Sequence, residues 1–397
     1  MIKAIFILFL IFFCSCSDSN SDKVGHTFAN YQRNNNLESN GKIYSTIPTR
    51  EEVVGSDINS FSGRPLSLPN YRMVTITSNG AIALLKGRNV EWEYFLDSTE
   101  YPVTSFAYFD KNIYFLASDT SIYKLNVDGK TTQKLKLEKS KSILFSDPIV
   151  VDNTIFISNS EGVIYSLDSS LNVINQVETE GRLERQMSSS GSSIFVVNNF
   201  REDYDRLQIY SMELKLQKEY IIDKGELFSY PVLSDSLVII FKNEIIRNDN
   251  FYTTLALDLN GELAWSKQTK MTPQFCSFDS EGNSYISFLT VGMGQSISMI
   301  LKIDSNGNQL ARFNIDHSLI SPLIVGSDYL GFLGLKRESL GFYYLTKDNL
   351  KMFSYIDLSN YNLVNPYPAI TSSNIIKYLS QTSNEIITID NTLMDSY

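Results

Sequence analysis

Few residues in this 397-residue chain could do chemistry. There are two histidines, His26 and His317; His26 has no second ligand near it in sequence, and no second histidine lies near His317. His317 lies in Ile315-Asp316-His317-Ser318; with no serine elbow it makes no triad, and zinc lacks a ligand set. The run Asp304-Ser305-Asn306-Gly307-Asn308 begins like a calcium loop, whose oxygens would bind a hard cation. Such a loop needs a Glu at its twelfth position, and Ile315 stands there. The run therefore reads as a β-turn. Cys276 sits in the alternating stretch Gln274-Phe275-Cys276-Ser277-Phe278, where a small core residue fits. The expectation is no catalytic residue, no metal and no cofactor.

Charge narrows the partners. With 34 basic and 44 acidic residues the net charge is −10, and no basic run exists. A nucleic-acid partner is excluded on that ground, and an anionic lipid surface would repel the chain. Recognition is left to aromatic side chains, which are plentiful at 23 Tyr and 24 Phe. Tyr204, Tyr230, Tyr343, Tyr344 and Tyr367 fall near loops or strand starts, where packing competes with contact as their role.

The N-terminus is an address. Lys3 precedes ten apolar residues, 4–13, too few to span a bilayer and suited to the apolar part of a secretory signal. Phe13-Cys14-Ser15-Cys16 follows and resembles the lipobox of bacterial lipoproteins. That resemblance implies acylation (palmitate) at Cys16, and Ser17 rather than Asp after it implies the outer membrane. A lipid holds a domain to one leaflet without any spanning helix, so the membrane is engaged through the anchor alone. Residues 17–23 contain only Ser, Asn, Asp and Lys and read as a tether. Losing Lys3 with the leader leaves a net charge of −11. With Cys276 then alone, no disulfide can form. The expected division is a signal peptide at 1–15, the lipidated Cys16 with its tether at 16–42, and one folded domain at 43–397.

What positions any site is a repeat. Residues 256–265 run from a strand through Asp258, turn at Asn260-Gly261 and return as a strand carrying Trp265. Aligning on Asp258 gives a column of Leu85, Asn126, Asp168, Glu213, Asp258, Asp304, Thr346 and Asp390, at gaps of 41 to 46 residues. A near-constant period of this size marks a β-propeller with one four-stranded blade per repeat. Eight columns predict an all-β, eight-bladed propeller of antiparallel blades, with seven as the alternative count. Asp390 lies seven residues from the end, so the last blade lacks its outer strand. An N-terminal segment, 51–55 or 43–47, is expected to supply it and close the ring. Prolines 102, 148, 231, 322 and 368 recur at blade spacing and suit the first residue of an innermost strand. Two stretches break the rhythm as loops or extended hairpins, 200–206 and 290–295.

The segment Ala256-Leu257-Asp258-Leu259-Asn260-Gly261-Glu262-Leu263-Ala264-Trp265 resembles the tryptophan-docking motif of quinoprotein-like propellers. The resemblance implies that Asp258 caps the turn, Gly261 allows it, and Trp265 packs between blades. Asp304 and Gly307 carry the turn again, Asp168 its cap, and Trp92 the outer-strand tryptophan of the first blade. Residues 26–35 resemble the segment that opens such propellers. No stacking Trp, calcium ligands or vicinal cysteines of a quinoprotein dehydrogenase are evident. The resemblance extends to the propeller lipoproteins of outer-membrane β-barrel assembly. It implies a non-enzymatic scaffold binding a protein partner in the cell envelope, facing the periplasm. The competing readings are a quinone- or sugar-handling enzyme and a surface lipoprotein that binds glycans or a host factor.

Overall fold

Short strands cut off by tight turns pair most readily with their chain neighbours, and all but the ring-closing strand do so within their own blade. The computed structural model describes residues 49–390 other than 53, 55–60, 63–64, 71, 98, 138–144, 184–185, 200–203, 223, 293–294, 327, 337–338, 359–368, 371–374 and 380–384. The leader, Cys16, the tether, His26, Tyr367 and Pro368 lie outside these residues. Among the described residues there is no helix, and the strands form eight antiparallel sheets. Seven are built from consecutive strands: blades 1 (66–94), 2 (107–136), 3 (149–178), 4 (188–221), 5 (226–269), 6 (272–315) and 7 (318–357). Strands are lettered A to D from the axis outward. Blade 8 is composite: Ala369–Ile370, Ile375–Leu379 and Glu385–Asp390 take Thr49–Glu52 as their outermost strand. The ring is thus closed by an N-terminal strand, overlapping the first of the two expected segments.

The core lies between blades. Side chains alternate across each sheet, so Val74, Ile82 and Leu84 of blade 1 pack on Phe106, Ile113 and Phe115 of blade 2. Their neighbours Met73, Ala83 and Leu85 pack the other way, on Leu379 and Ile386 of blade 8 and on Phe61. Each such contact repeats around the ring, which needs no covalent staple; Cys276 is free and fully buried. Burial raises its thiol pKa well above the usual range.

One irregularity recurs in all seven consecutive-strand blades, a β-bulge where strand C meets strand D. It falls at Leu84/Leu85, Lys124/Leu125, Ser166/Leu167, Ile209/Tyr210, Ala256/Leu257, Lys302/Ile303 and Tyr344/Leu345. A bulge adds local twist, which each blade of a propeller requires. The bulge also corrects the repeat alignment. The residue after it is Lys86 in blade 1 and Ser211 in blade 4, in place of Leu85 and Glu213.

The prolines lie just ahead of strand A rather than within it: Pro148 before Ile149–Val151, Pro231 before Val232–Leu233, Pro322 two residues before Ile324–Val325. A buried hydroxyl precedes each one. Ser146, Ser229 and Ser321 accept the N–H of Ser158, Phe241 and Leu333 on strand B at 2.9, 2.8 and 2.8 Å, and Thr104 accepts that of Leu116 at 3.0 Å. The hydroxyl accepts a strand B N–H that meets no carbonyl of the segment ahead of strand A, so the donor is not left buried and unpaired. Ser321→Ala leaves the Leu333 N–H buried and unpaired, and is expected to cost about 1–3 kcal/mol in urea unfolding. An unchanged midpoint would mean that water replaces the hydroxyl.

Candidate functional site

The repeat residues occupy one face of the ring, where the A–B and C–D turns lie. Asp168, Asp258 and Asp304 each accept two backbone N–H bonds across the C–D turn: Ser170 and Asn172, Asn260 and Glu262, Asn306 and Asn308. Bonds led by Asn172, Glu262 and Asn308 respectively hold these exposed carboxyls below the usual Asp range. Ser211 does the same work in blade 4, accepting from Glu213 and Lys215.

These turns are sockets for the preceding blade. Trp92 of blade 1 lies over Gly129 of blade 2 and donates its indole N–H to Val127 O at 2.8 Å. Trp265 of blade 5 lies over Gly307 of blade 6, and a Cβ on either glycine would come within 2.7 Å of the ring. Both glycines also have positive φ, 78° and 86°. Lys218 stands in the tryptophan column of blade 4, over Gly261, and pairs with Glu262. Where the column residue is Gln133 or Asn175, the left-handed position of the next blade is Leu171 or Leu214, buried in the space a tryptophan would fill. Trp92, Asp168, Asp258, Gly261, Trp265, Asp304 and Gly307 therefore hold neighbouring blades together and do not converge on one site.

Other groups of interest are equally dispersed. His317, in the connector from blade 6 to blade 7, places Nδ1 2.9 Å from Asp316 Oδ1 and its ring 4.8 Å from that of Tyr343. Lys336, then His317, pull the Asp316 carboxyl down to about 2. Among the described residues no three His, Cys, Asp or Glu side chains are grouped to hold a metal ion. Tyr230, Tyr343 and Tyr344 are buried; Tyr204 is exposed.

The opposite face, formed by the B–C hairpins, is uneven. Strands B and C have five or six residues in blades 1 to 4 but ten in blade 5, Leu237–Ile246 and Asp249–Asp258. They have nine in blade 6, Ser284–Gly292 and Gln295–Ile303, and eight in blade 7, Tyr329–Lys336 and Ser339–Thr346. At about 3.3 Å per residue, the extra two to five residues lift these hairpins roughly 7–16 Å above the rest, blade 5 the most. Ile245 at the blade 5 tip is 69% exposed and Ile297 of blade 6 is 48% exposed, with Ile246 and Leu335 exposed beside them. Tyr204, on the blade 4 hairpin, adds an aromatic ring.

Sequence reading anticipated the blade 6 extension from residues 290–295 but missed that of blade 5. Its signal was Arg247-Asn248-Asp249-Asn250, four polar residues splitting an otherwise unbroken strand pattern. Between the raised hairpins of blades 5 and 6 lies a cleft of about 380 Å³, walled by Asn250 and Tyr252 on one side and Gln274 and Leu289 on the other. A second pocket, about 270 Å³, lies on the turn face between blades 1 and 2, beside Arg72, Tyr108 and Lys111. Arg72 is already engaged there by Glu91 at 2.7 Å.

No protein-family model matches the chain, and no curated protein matches it in sequence. Among solved structures it is similar to BamB from Moraxella catarrhalis, 13% identical with a TM-score of 0.46 over 70% of this chain and 80% of that one. It is also similar to the Cps50 (Swd1) β-propeller domain of Myceliophteria thermophila, 7% identical with a TM-score of 0.47 over 70% of this chain and 92% of that one. By its own strand order the chain is a β-propeller, closed on itself by an N-terminal strand.

Proposed function

We propose that this protein is a non-enzymatic scaffold of the bacterial envelope, held to the outer membrane by a lipid on Cys16 and facing the periplasm. It binds a protein partner through the raised hairpins of blades 5 to 7. The observation that carries the reading is the set of exposed aliphatic side chains on three successive hairpins, Ile245, Ile246, Ile297 and Leu335. Large apolar side chains raised into solvent on successive hairpins mark a surface whose burial against a partner is favourable. The anchor rests on the lipobox-like Phe13-Cys14-Ser15-Cys16, and a role in outer-membrane protein assembly on the sequence resemblance of the repeat.

The test is chemical cross-linking and affinity capture of the full-length chain from its own membranes, beside a variant carrying Ile245→Asp, Ile246→Asp and Leu335→Asp. Covering two such side chains contributes about 3–6 kcal/mol, so the variant should lose its principal partner by 100-fold or more. Equal capture by both proteins would refute the reading.

A further inference from the structure

The blade 5 hairpin ends in the two-residue turn Arg247-Asn248, with φ of 52° and 69°, the type I′ geometry. In such a hairpin the flanking residues Ile246 and Asp249 exchange both hydrogen bonds, and pairs alternate from there. Ile245 and Asn250 are then a pair without mutual bonds, and the N–H and C=O of Asn250 point away from Ile245 toward the outer edge of strand C. Strand D, Leu263–Thr269, reaches strand C only as far as Tyr252, paired with Thr269. Among the described residues, no strand covers the edge at Asp249–Phe251.

This open edge forms one wall of the 380 Å³ cleft. Cross-strand partners share a sheet face, so the exposed Ile245 lies on the same side of the hairpin as Asn250 and Tyr252, both cleft residues. The Tyr252 ring is held edge-on against Phe228, with centroids 5.8 Å apart. The one carboxylate and one ammonium of the lining, Asp249 and Lys270, neutralise each other at 2.8 Å. What remains is the amides of Asn250 and Gln274, two threonine hydroxyls and the side chain of Leu289. Such a lining suits peptide groups with an aliphatic side chain at every second position, and offers no net charge to an ionic ligand.

We infer that the cleft between blades 5 and 6 takes an extended segment of a partner polypeptide, which adds as a strand along Asp249–Phe251 and sets an apolar side chain beside Asn250, on the face that carries Ile245. The inference rests on the scaffold reading and specifies the partner's contact as main chain rather than a folded apolar surface.

The probe is a phage-displayed library of random linear dodecapeptides, selected on the full chain. Enriched peptides are then measured in solution by fluorescence anisotropy and by hydrogen exchange at the Asn250 amide. The expected result is peptides that protect the Asn250 N–H on binding. Asn250→Ala, which keeps the N–H, should bind them within about threefold of the parent, and Asn250→Pro, which lacks it, about 10-fold or more weakly. Retained exchange protection at Ile246 and Asp249 shows that the proline leaves the hairpin folded. The inference is overturned if no peptide is enriched, if Asn250→Pro binds as well as Asn250→Ala, or if chitotetraose displaces the peptides, which would make the cleft a glycan site. Should the partner be lost with the triple Asp variant but kept with Asn250→Pro, strand addition fails while the scaffold reading stands. If neither variant affects the partner, both fail.

Discussion

A chain lacking residues 1–55 should melt roughly 6 °C lower than the full chain and associate on standing. Thr49–Glu52 pairs with Thr388, Ile387, Ile386 and Glu385, a ladder of about four hydrogen bonds contributing about 1 kcal/mol each. In a domain larger than about 250 residues, each kcal/mol moves the melting temperature by less than about 2 °C, here roughly 1.5 °C. The loss exceeds the ladder, because Ile386, Ile387 and Ile389 are buried in blade 8 and its strand C becomes an open edge. Hydrogen exchange should locate the damage. Amides of 385–390 lose protection first, blade 1 follows through the shared packing of Met73, Leu85, Leu379 and Ile386, and blades 3 to 5 stay protected. Identical melting and an unchanged monomer would mean that the ring holds without its clasp.

Trp265→Ala is expected to cost about 3–5 kcal/mol, the usual range for emptying a buried tryptophan site. The neighbouring socket predicts how to recover part of it. Gly307 faces Trp265, whereas the equivalent positions facing Gln133 and Asn175 hold Leu171 and Leu214 at φ near 59°. Adding Gly307→Leu to Trp265→Ala should therefore restore at least about 1 kcal/mol, while Gly307→Leu alone collides with the indole and destabilises. A double-mutant cycle by urea unfolding reads the coupling directly, and additive losses would show the two positions to be independent. The two tryptophans should also part company on conversion to Phe. Trp92 loses its bond to Val127 O, whereas the Trp265 indole N–H has no partner among the described residues, so Trp265→Phe sheds an unsatisfied donor and is the milder change.

The period was legible because its signal is local chemistry. Asp258 and Asp304 bond the amides two and four residues ahead, and that geometry forces an Asp, two turn residues, a Gly and a return strand in fixed order. Where the cap is Ser211 or the left-handed residue is Leu171, the pattern disappears from the sequence although the turn is unchanged. The alignment slipped to Glu213 in that blade for this reason. The missing last strand was legible from simple arithmetic on the final repeat. The hydroxyls at Ser146, Ser229 and Ser321 were not, since serine before proline is common in any loop and only the partner N–H twelve residues on gives it meaning. The raised face was half-legible. A Gly-rich break announced blade 6, but the extra length of blade 5 is strand on both sides of its turn, marked only by the polar run Arg247-Asn248-Asp249-Asn250, which any hairpin turn could carry.

The way the ring is closed also gives it a polarity with respect to whatever holds it. Outer strands run from the turn face toward the hairpin face, and Thr49–Glu52 is the outer strand of blade 8. The N-terminal end of Thr49–Glu52 therefore lies at the rim of the turn face, on the side away from the lifted hairpins of blades 5 to 7. Anything joined to that end of the strand meets the protein at its turn face, and Ile245, Ile297 and Leu335 lie on the far side of the ring.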